Sequence, residues 1–221
     1  VEKQNEYLTE FIEKINSVTK TKAVPIPSLP NHVTFDIISK DITDLKAVPY
    51  GISKGELEVL KMNFETYLGT IVSANKIENT TNFVRSLIKV LSNIKGMGII
   101  VVDGHENLLP DKGIVSNYYN DKFEEVFDAI DGFIDKQLEG PAPKDPNVVI
   151  VFNGIYKILS KLSGTSKLDS IIEKIKKYEK ICVVLVEDGT KLKNYSYDTW
   201  YKNIFSQNDG LWIGKGMADQ S

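Results

Sequence analysis

The chain has 221 residues, a formal net charge of −3, and 42% hydrophobic against 26% charged residues. That length suffices for one sizeable domain with its own core, or two small ones, and the charge excludes a chain held to nucleic acid by bulk electrostatics. A lone cysteine, Cys182, permits no intrachain disulfide, and no apolar run reaches the roughly 20 residues of a transmembrane helix.

From the start, Tyr7, Leu8, Phe11, Ile12 and Ile15 recur at spacings of three and four, which predicts an amphipathic helix. "AVPIPSLPNHV" follows with three prolines and predicts an extended connector on the domain surface. "GELEVLKMNF" and the more apolar "YLGTIVSA" read as strands. From Thr80 the period lengthens: Phe83, Leu87, Leu91 and Ile94 mark one helix face, with Asn79, Thr80 and Thr81 as cap-type residues and Gly96 as the stop. "MGIIVVDG" is a buried strand, "NDKFEEVFDAIDGFIDKQLE" a long amphipathic helix, and "GPAPKDPN" a loop before the strand "VVIVFNG". The helical stretches "IYKILSKL" and "SKLDSIIEKIKKYEK" precede the strand "ICVVLVEDG", in which Cys182 is a buried small hydrophobe. A helical "DTWYKNIF" and a strand-like "GLWIGKG" close the chain. Strands alternating with helices predict an α/β domain with a mostly parallel sheet. The missing initial methionine and the abrupt end at "MADQS" read as a piece of a longer protein, with room for membrane spans elsewhere in the parent.

In such sheets ligands sit beyond the carboxyl ends of the strands, so the loop after "GTIV" matters most. It runs Ser73, Ala74, Asn75, Lys76, Ile77, Glu78, Asn79, Thr80, the length of a phosphate-binding P-loop. On the frame G-x-x-x-x-G-K-[ST], Ser73 and Glu78 stand at the glycine positions, Asn79 at the lysine and Thr80 at the hydroxyl. Only Thr80 matches. Glu78 brings a carboxylate toward where phosphate would lie, or else satisfies the helix dipole itself; two like charges about 4 Å apart repel by about 4 kcal/mol at an effective dielectric of 20. On side-chain charge alone, Glu78→Gly with Asn79→Lys should raise affinity for ATP–magnesium at least about tenfold. Lys76 is the one cation that could swing inward. The strand that should end in a magnesium-fixing acid and a water-activating acid ends instead in Asn153 and Gly154, without a carboxylate. Two segments have lost their chemistry together, which favours a domain that kept an ATPase fold without hydrolysis.

The order of "NEYLTEFIEKIN", "VPIPSLP", "YGIS", the degenerate loop, "IIVVDGHENLL", "VVIVFNG" and "NDGLWIGKGMADQS" resembles an FtsK/SpoIIIE-type ATPase module. More narrowly it is similar to the C-terminal ATPase-like module of the EssC family of membrane coupling proteins in type VII (Ess) secretion. The resemblance implies a P-loop NTPase fold (RecA/FtsK-like) with helices on both faces of the sheet. Residues 1–34 would be a helix and proline-rich connector packed on the domain, and 35–221 the ATPase-like domain itself. It also implies a cytoplasmic module at the end of a tandem array of modules in a bacterial membrane protein. Its implied partners are secretion substrates (WXG100-like proteins) and neighbouring ATPase modules of the same protein, in a hexameric ring of the parent, with no nucleic acid. ATP and magnesium belong to the family; the departures at Ser73, Glu78, Asn79, Asn153 and Gly154 put catalysis by this module in doubt. The alternative is an atypical but active NTPase that uses Lys76 or a neighbour's residue.

Other residues carry weaker signals. Asp103 ends a strand, where dinucleotide folds hold a ribose, and with His105 and Glu106 it offers metal-ligand types; with His32 the only other histidine, a loop cap is the simpler reading. Glu187 and Asp188 are either an acidic recognition rim or ordinary loop residues. "KIKKYEK" with Lys161 and Lys167 is either a nucleic-acid contact or a solvated helix face. Trp200, Tyr201 and Phe205 belong to a core helix or form a partner surface.

Overall fold

The computed structural model describes residues 2–18, 28–38, 42, 45–64, 69–139, 148–164, 166–177, 181–205 and 210–215, without the side chains of 2–4, 16 and 205. Helix α1 spans Glu2–Val18. A short α2 (Phe35–Ile38) and a 3₁₀ turn (Leu45–Ala47) lead into β1 (Val48–Ile52) and β2 (Val59–Met62), an antiparallel pair outside the main sheet. Then come β3 (Gly69–Ala74), a second 3₁₀ turn (Ile77–Thr80), α3 (Thr81–Leu91), β4 (Gly98–Asp103) and β5 (Asn117–Tyr119). They are followed by α4 (Phe123–Glu139), β6 (Val148–Asn153), α5 (Ile155–Leu159), α6 (Ser166–Lys177) and β7 (Ile181–Asp188). The chain ends through α7 (Gly189–Leu192), a third 3₁₀ turn (Lys193–Tyr195), α8 (Thr199–Phe205) and β8 (Gly210–Trp212).

The main sheet has six strands in the order β5-β4-β6-β7-β3-β8, and every pairing is parallel. The central strands read as unbroken apolar runs because both faces are covered. Alternate residues face opposite cores. Val149, Val151, Cys182, Val184 and Val186 join Val84, Leu87 and Ile88 of α3 and Val48 and Met62 of the small pair. Ile150, Phe152, Val183 and Leu185 join residues of α4, α5, α6 and α8 on the other side. Cys182 is a core residue whose thiol donates to the Phe64 carbonyl at 2.7 Å.

Helices α4 and α6 are laced together by charge. Lys167 pairs with Glu124 and Asp128, and Lys174 with Asp131 and Asp135. Bonds from Lys167, and then from Ser163, hold the Glu124 carboxyl down at about 2. Two lysines of the basic stretch are thus committed within the molecule, neither idle on a solvated face nor free for nucleic acid.

Three features go beyond the sequence reading. Helix α3 ends at Leu91, so Gly96 with φ +80 lies in the loop after it, beyond any cap position. Strand β5 and helices α2 and α7, of three and four residues, are too short to show periodicity in the sequence. Helix α1 forms with its apolar stripe exposed: Tyr7, Leu8 and Phe11 are 76, 63 and 60% exposed, and none of its described side chains is among the buried core residues. Both faces of the sheet are already covered by other elements. Connector residues 21–27, the loop 140–147 and the closing "MADQS" lie outside the described residues.

Candidate functional site

The carboxyl ends of β4, β6, β7 and β3 form one rim, set by register: Asp103 lies beside Asn153, Asn153 beside Val186, Ser73 beside Glu187 and Ala74 beside Asp188. At β3 the strand runs on through Ser73 and Ala74, both buried, and the Ser73 hydroxyl donates to the Glu187 carbonyl at 2.8 Å. Only Asn75 and Lys76 remain before the 3₁₀ turn begins at Ile77. Ile77 is 2% exposed and belongs to the α3-side core, which pins the turn down. Thr80 is fully buried, and its hydroxyl donates to the Ile77 carbonyl at 2.7 Å. Lys76, Glu78 and Asn79 stand exposed. The terminal segment closes over the strand end: Ile213 N–H donates to the Ser73 carbonyl at 2.7 Å, and the Asn75 amide to the Lys215 carbonyl at 3.0 Å.

At β4 and β6 the polar groups are equally committed. Asp103 is 0% exposed, and its two oxygens accept five bonds. The donors are the backbone N–H groups of His105, Glu106 and Leu108, the Tyr118 hydroxyl and the Asn153 amide, at 2.7–3.1 Å. Burial first, and then the bond to Asp103, push the Tyr118 phenol well above its ordinary range. Asn153, 1% exposed, also donates to the Asn107 side chain at 2.9 Å. Asp103 therefore caps the loop that follows β4, and ribose or metal binding would require breaking that cap.

Gly154 has φ +79, and a Cβ built on it would lie 2.2 Å from His105 Cδ2. The imidazole, whose Nε2 is buried without a hydrogen-bond partner, fills the space that an acidic side chain at position 154 would need. The sequence placed His105 beside Asp103 but gave no sign that the β4 loop carries its ring across the sheet onto Gly154.

Strand β7 brings Glu187, 0% exposed, whose carboxylate accepts from the N–H groups of Tyr156 at 2.7 Å and Asp188 at 2.9 Å. Asp188 caps α7 by accepting from the N–H groups of Thr190 and Lys191. Partial burial pushes the Asp188 carboxyl up, but bonds from Thr190 and Lys191 outweigh it and the net shift is down. These acids hold local turns and present no acidic recognition rim. Burial, and then the charge of Glu187, push the nearby Tyr195 phenol up to about 12.

As a donor set for ATP and magnesium the rim does not fit. No lysine stands at position 79, no carboxylate at 153 or 154, and the one matching hydroxyl, Thr80, is spent on its own turn.

The partner surface expected at α8 needs correction. Trp200 is 0% exposed and packs between Tyr195 and Tyr201, at ring distances of 5.2 and 5.7 Å. Its backbone N–H donates to Asp169 and its indole N–H to Asp198, at 2.8 and 3.2 Å. Burying an aromatic of roughly 200 Å² contributes about 5 kcal/mol, which favours core over surface. Tyr201 is half-buried against the same cluster, and the Phe205 side chain lies outside the described residues.

No family model matches the sequence, and no curated protein matches it. Solved structures do. EssC (ATPases 2 and 3) from Geobacillus thermodenitrificans is similar at TM-score 0.74 and 15% identity, over 98% of this chain and 43% of that one. The cytoplasmic domain of the Thermomonospora curvata type VII secretion ATPase EccC is similar at 0.69 and 16%, over 90% and 25%. EccC (ATPases 2 and 3) from Thermomonospora curvata, in complex with a signal sequence peptide, is similar at 0.67 and 15%, over 100% and 43%. The chain thus spans less than half the length of each of these. What this chain shares with these domains is the fold: a parallel sheet with helices on both faces.

Proposed function

We propose that this chain is a degenerate ATPase-like module of a type VII secretion coupling protein, serving substrate recognition or regulation without hydrolysing ATP itself. The observation that carries the reading is the rim. Four strand ends that would hold a nucleotide are tied to one another and to their own loops through Ser73, Thr80, Asp103, Asn153 and Glu187. The fold likeness to EssC and EccC supports the setting, and the signal sequence peptide bound to EccC supports secretion substrates and neighbouring modules as partners. On this reading the parent is anchored in a bacterial membrane and this module faces the cytoplasm. No helix among the described residues is long and apolar enough to cross a membrane.

The test is calorimetry and thermal shift with ATP, with and without magnesium, on the 221-residue chain. The expected outcome is no saturable heat, no magnesium-dependent shift and phosphate release at the level of buffer. Saturable binding abolished by Lys76→Ala would overturn this reading in favour of an atypical NTPase.

A further inference from the structure

Helix α1 leaves Tyr7, Leu8, Phe11 and Ile12 at 76, 63, 60 and 49% exposure. At i, i+1, i+4 and i+5 they share one face. Together they expose on the order of 500 Å² of largely apolar surface, as large as the largest patches that monomeric proteins leave open. The same helix is acidic, with Glu6, Glu10 and Glu13 exposed against Lys14. Its complement must therefore be apolar with a positive margin.

Among the described residues, one groove of about 340 Å³ lies beside α4 and another along α3, and charge separates them. One lies between the sheet edge and α4, lined by Ile100, Tyr119, Ile130 and Phe133. It carries no cation in its lining, and α4 has six acids to one lysine. The other runs along α3, with Ile88, Leu108, Pro110 and Ile114 in its lining. Exposed Arg85 and Lys89 flank it against the single acid Asp111, and Leu109, 64% exposed, stands at its lip. Of these two, the α3 groove carries the sign that α1 needs, with Leu109, Pro110 and Ile114 as its accessible apolar contacts.

We propose that the apolar face of α1 from one chain seats in the α3 groove of a second copy. Both halves of this contact are open on each molecule. The contact is consequently head-to-tail, and each chain can serve as donor and acceptor.

The test uses two variants of the full chain. Phe11→Glu spoils the helix face and keeps the groove. Leu109→Glu with Lys89→Glu spoils the groove and keeps the helix; Arg85 is left alone because its guanidinium donates to the carbonyls of Asn107 and Leu108. Light scattering at high micromolar concentration should find wild type above monomer mass, each variant monomeric, and their mixture a one-to-one heterodimer. Thermal melting of each variant alone controls for folding. A monomeric wild type overturns the proposal. So does a groove variant that still self-associates, which would mean that α1 pairs with α1, and so does a mixture of folded variants that stays monomeric.

Discussion

On the proposed reading, Asn153 marks most directly where this rim departs from an ATPase site. In the sequence it is a carboxylate lost at the end of a strand. In the structure it is a donor: its amide bonds Asp103 Oδ1 at 2.7 Å and Asn107 Oδ1 at 2.9 Å, with almost no exposure. Restoring an acid there removes a donor and sets two buried carboxylates within contact distance. Like charges about 4 Å apart repel by about 4 kcal/mol at an effective dielectric of 20. Asn153→Asp should therefore lose about 2–4 kcal/mol at pH 8, read from urea unfolding, and gain no magnesium-dependent activity. The pair relieves repulsion by keeping one proton, so one carboxyl is raised above its unfolded value of about 4. A raised carboxyl adds stability below the unfolded value and loses it as pH rises through the folded one. The deficit of the variant should accordingly shrink as pH falls from 8 toward 5. A variant as stable as wild type at pH 8, or one whose deficit does not move with pH, would contradict this account.

At the scale of the element, the turn after β3 differs from a P-loop in backbone as well as in side chains. A P-loop cradles phosphate with backbone N–H groups along an open stretch. Here β3 continues through Ala74, and the 3₁₀ turn starts at Ile77, anchored by that residue's burial. The tenfold gain expected of Glu78→Gly with Asn79→Lys from charge alone assumes a cradle that this turn does not form. The pair of substitutions should raise ATP–magnesium affinity by less than about fivefold, on the order of what a helix N-terminus and one exposed cation contribute. A larger gain in calorimetry would mean that the turn opens. Sequence reasoning read the long elements well: α4 and the runs of β4, β6 and β7 have unambiguous period and length. It placed the β3–α3 loop and the end of β6 on one rim of the sheet, where the register puts them. It missed the 3₁₀ turn at Ile77, because nothing local says that Ile77 is buried by α3-side residues. Trp200 was ambiguous for the same reason: the aromatic cluster of Tyr195, Trp200 and Tyr201 is visible in sequence, but Asp169, which fixes the Trp200 backbone, comes from another helix.

Across the whole molecule, stability is distributed unevenly, and that can be measured strand by strand. Strand β6 is buried at every position and bonded on both sides, and β7 is nearly so. Their amides open only with global unfolding, so they should be the slowest to exchange hydrogen. Helix α1 is the opposite case. Its 17 residues place exposed apolar side chains where a packed helix would bury them. An isolated helix of that length is marginal in water. In a dilute, monomeric chain the α1 amides should therefore exchange fast, while β6 and β7 remain protected. If α1 seats in the α3 groove of a second copy, its protection must grow with protein concentration, because association stabilises the bound helix by mass action. The amides of α3, already buried on their inner face, should change little by comparison. Hydrogen exchange followed by mass spectrometry across a wide concentration series separates the two regimes. Protection of α1 equal to that of β7 in the most dilute sample would show the helix packed on its own domain. Protection that stays low at every concentration would show that α1 finds no partner in another copy; in either case the head-to-tail contact falls while the sealed rim and the reading built on it stand.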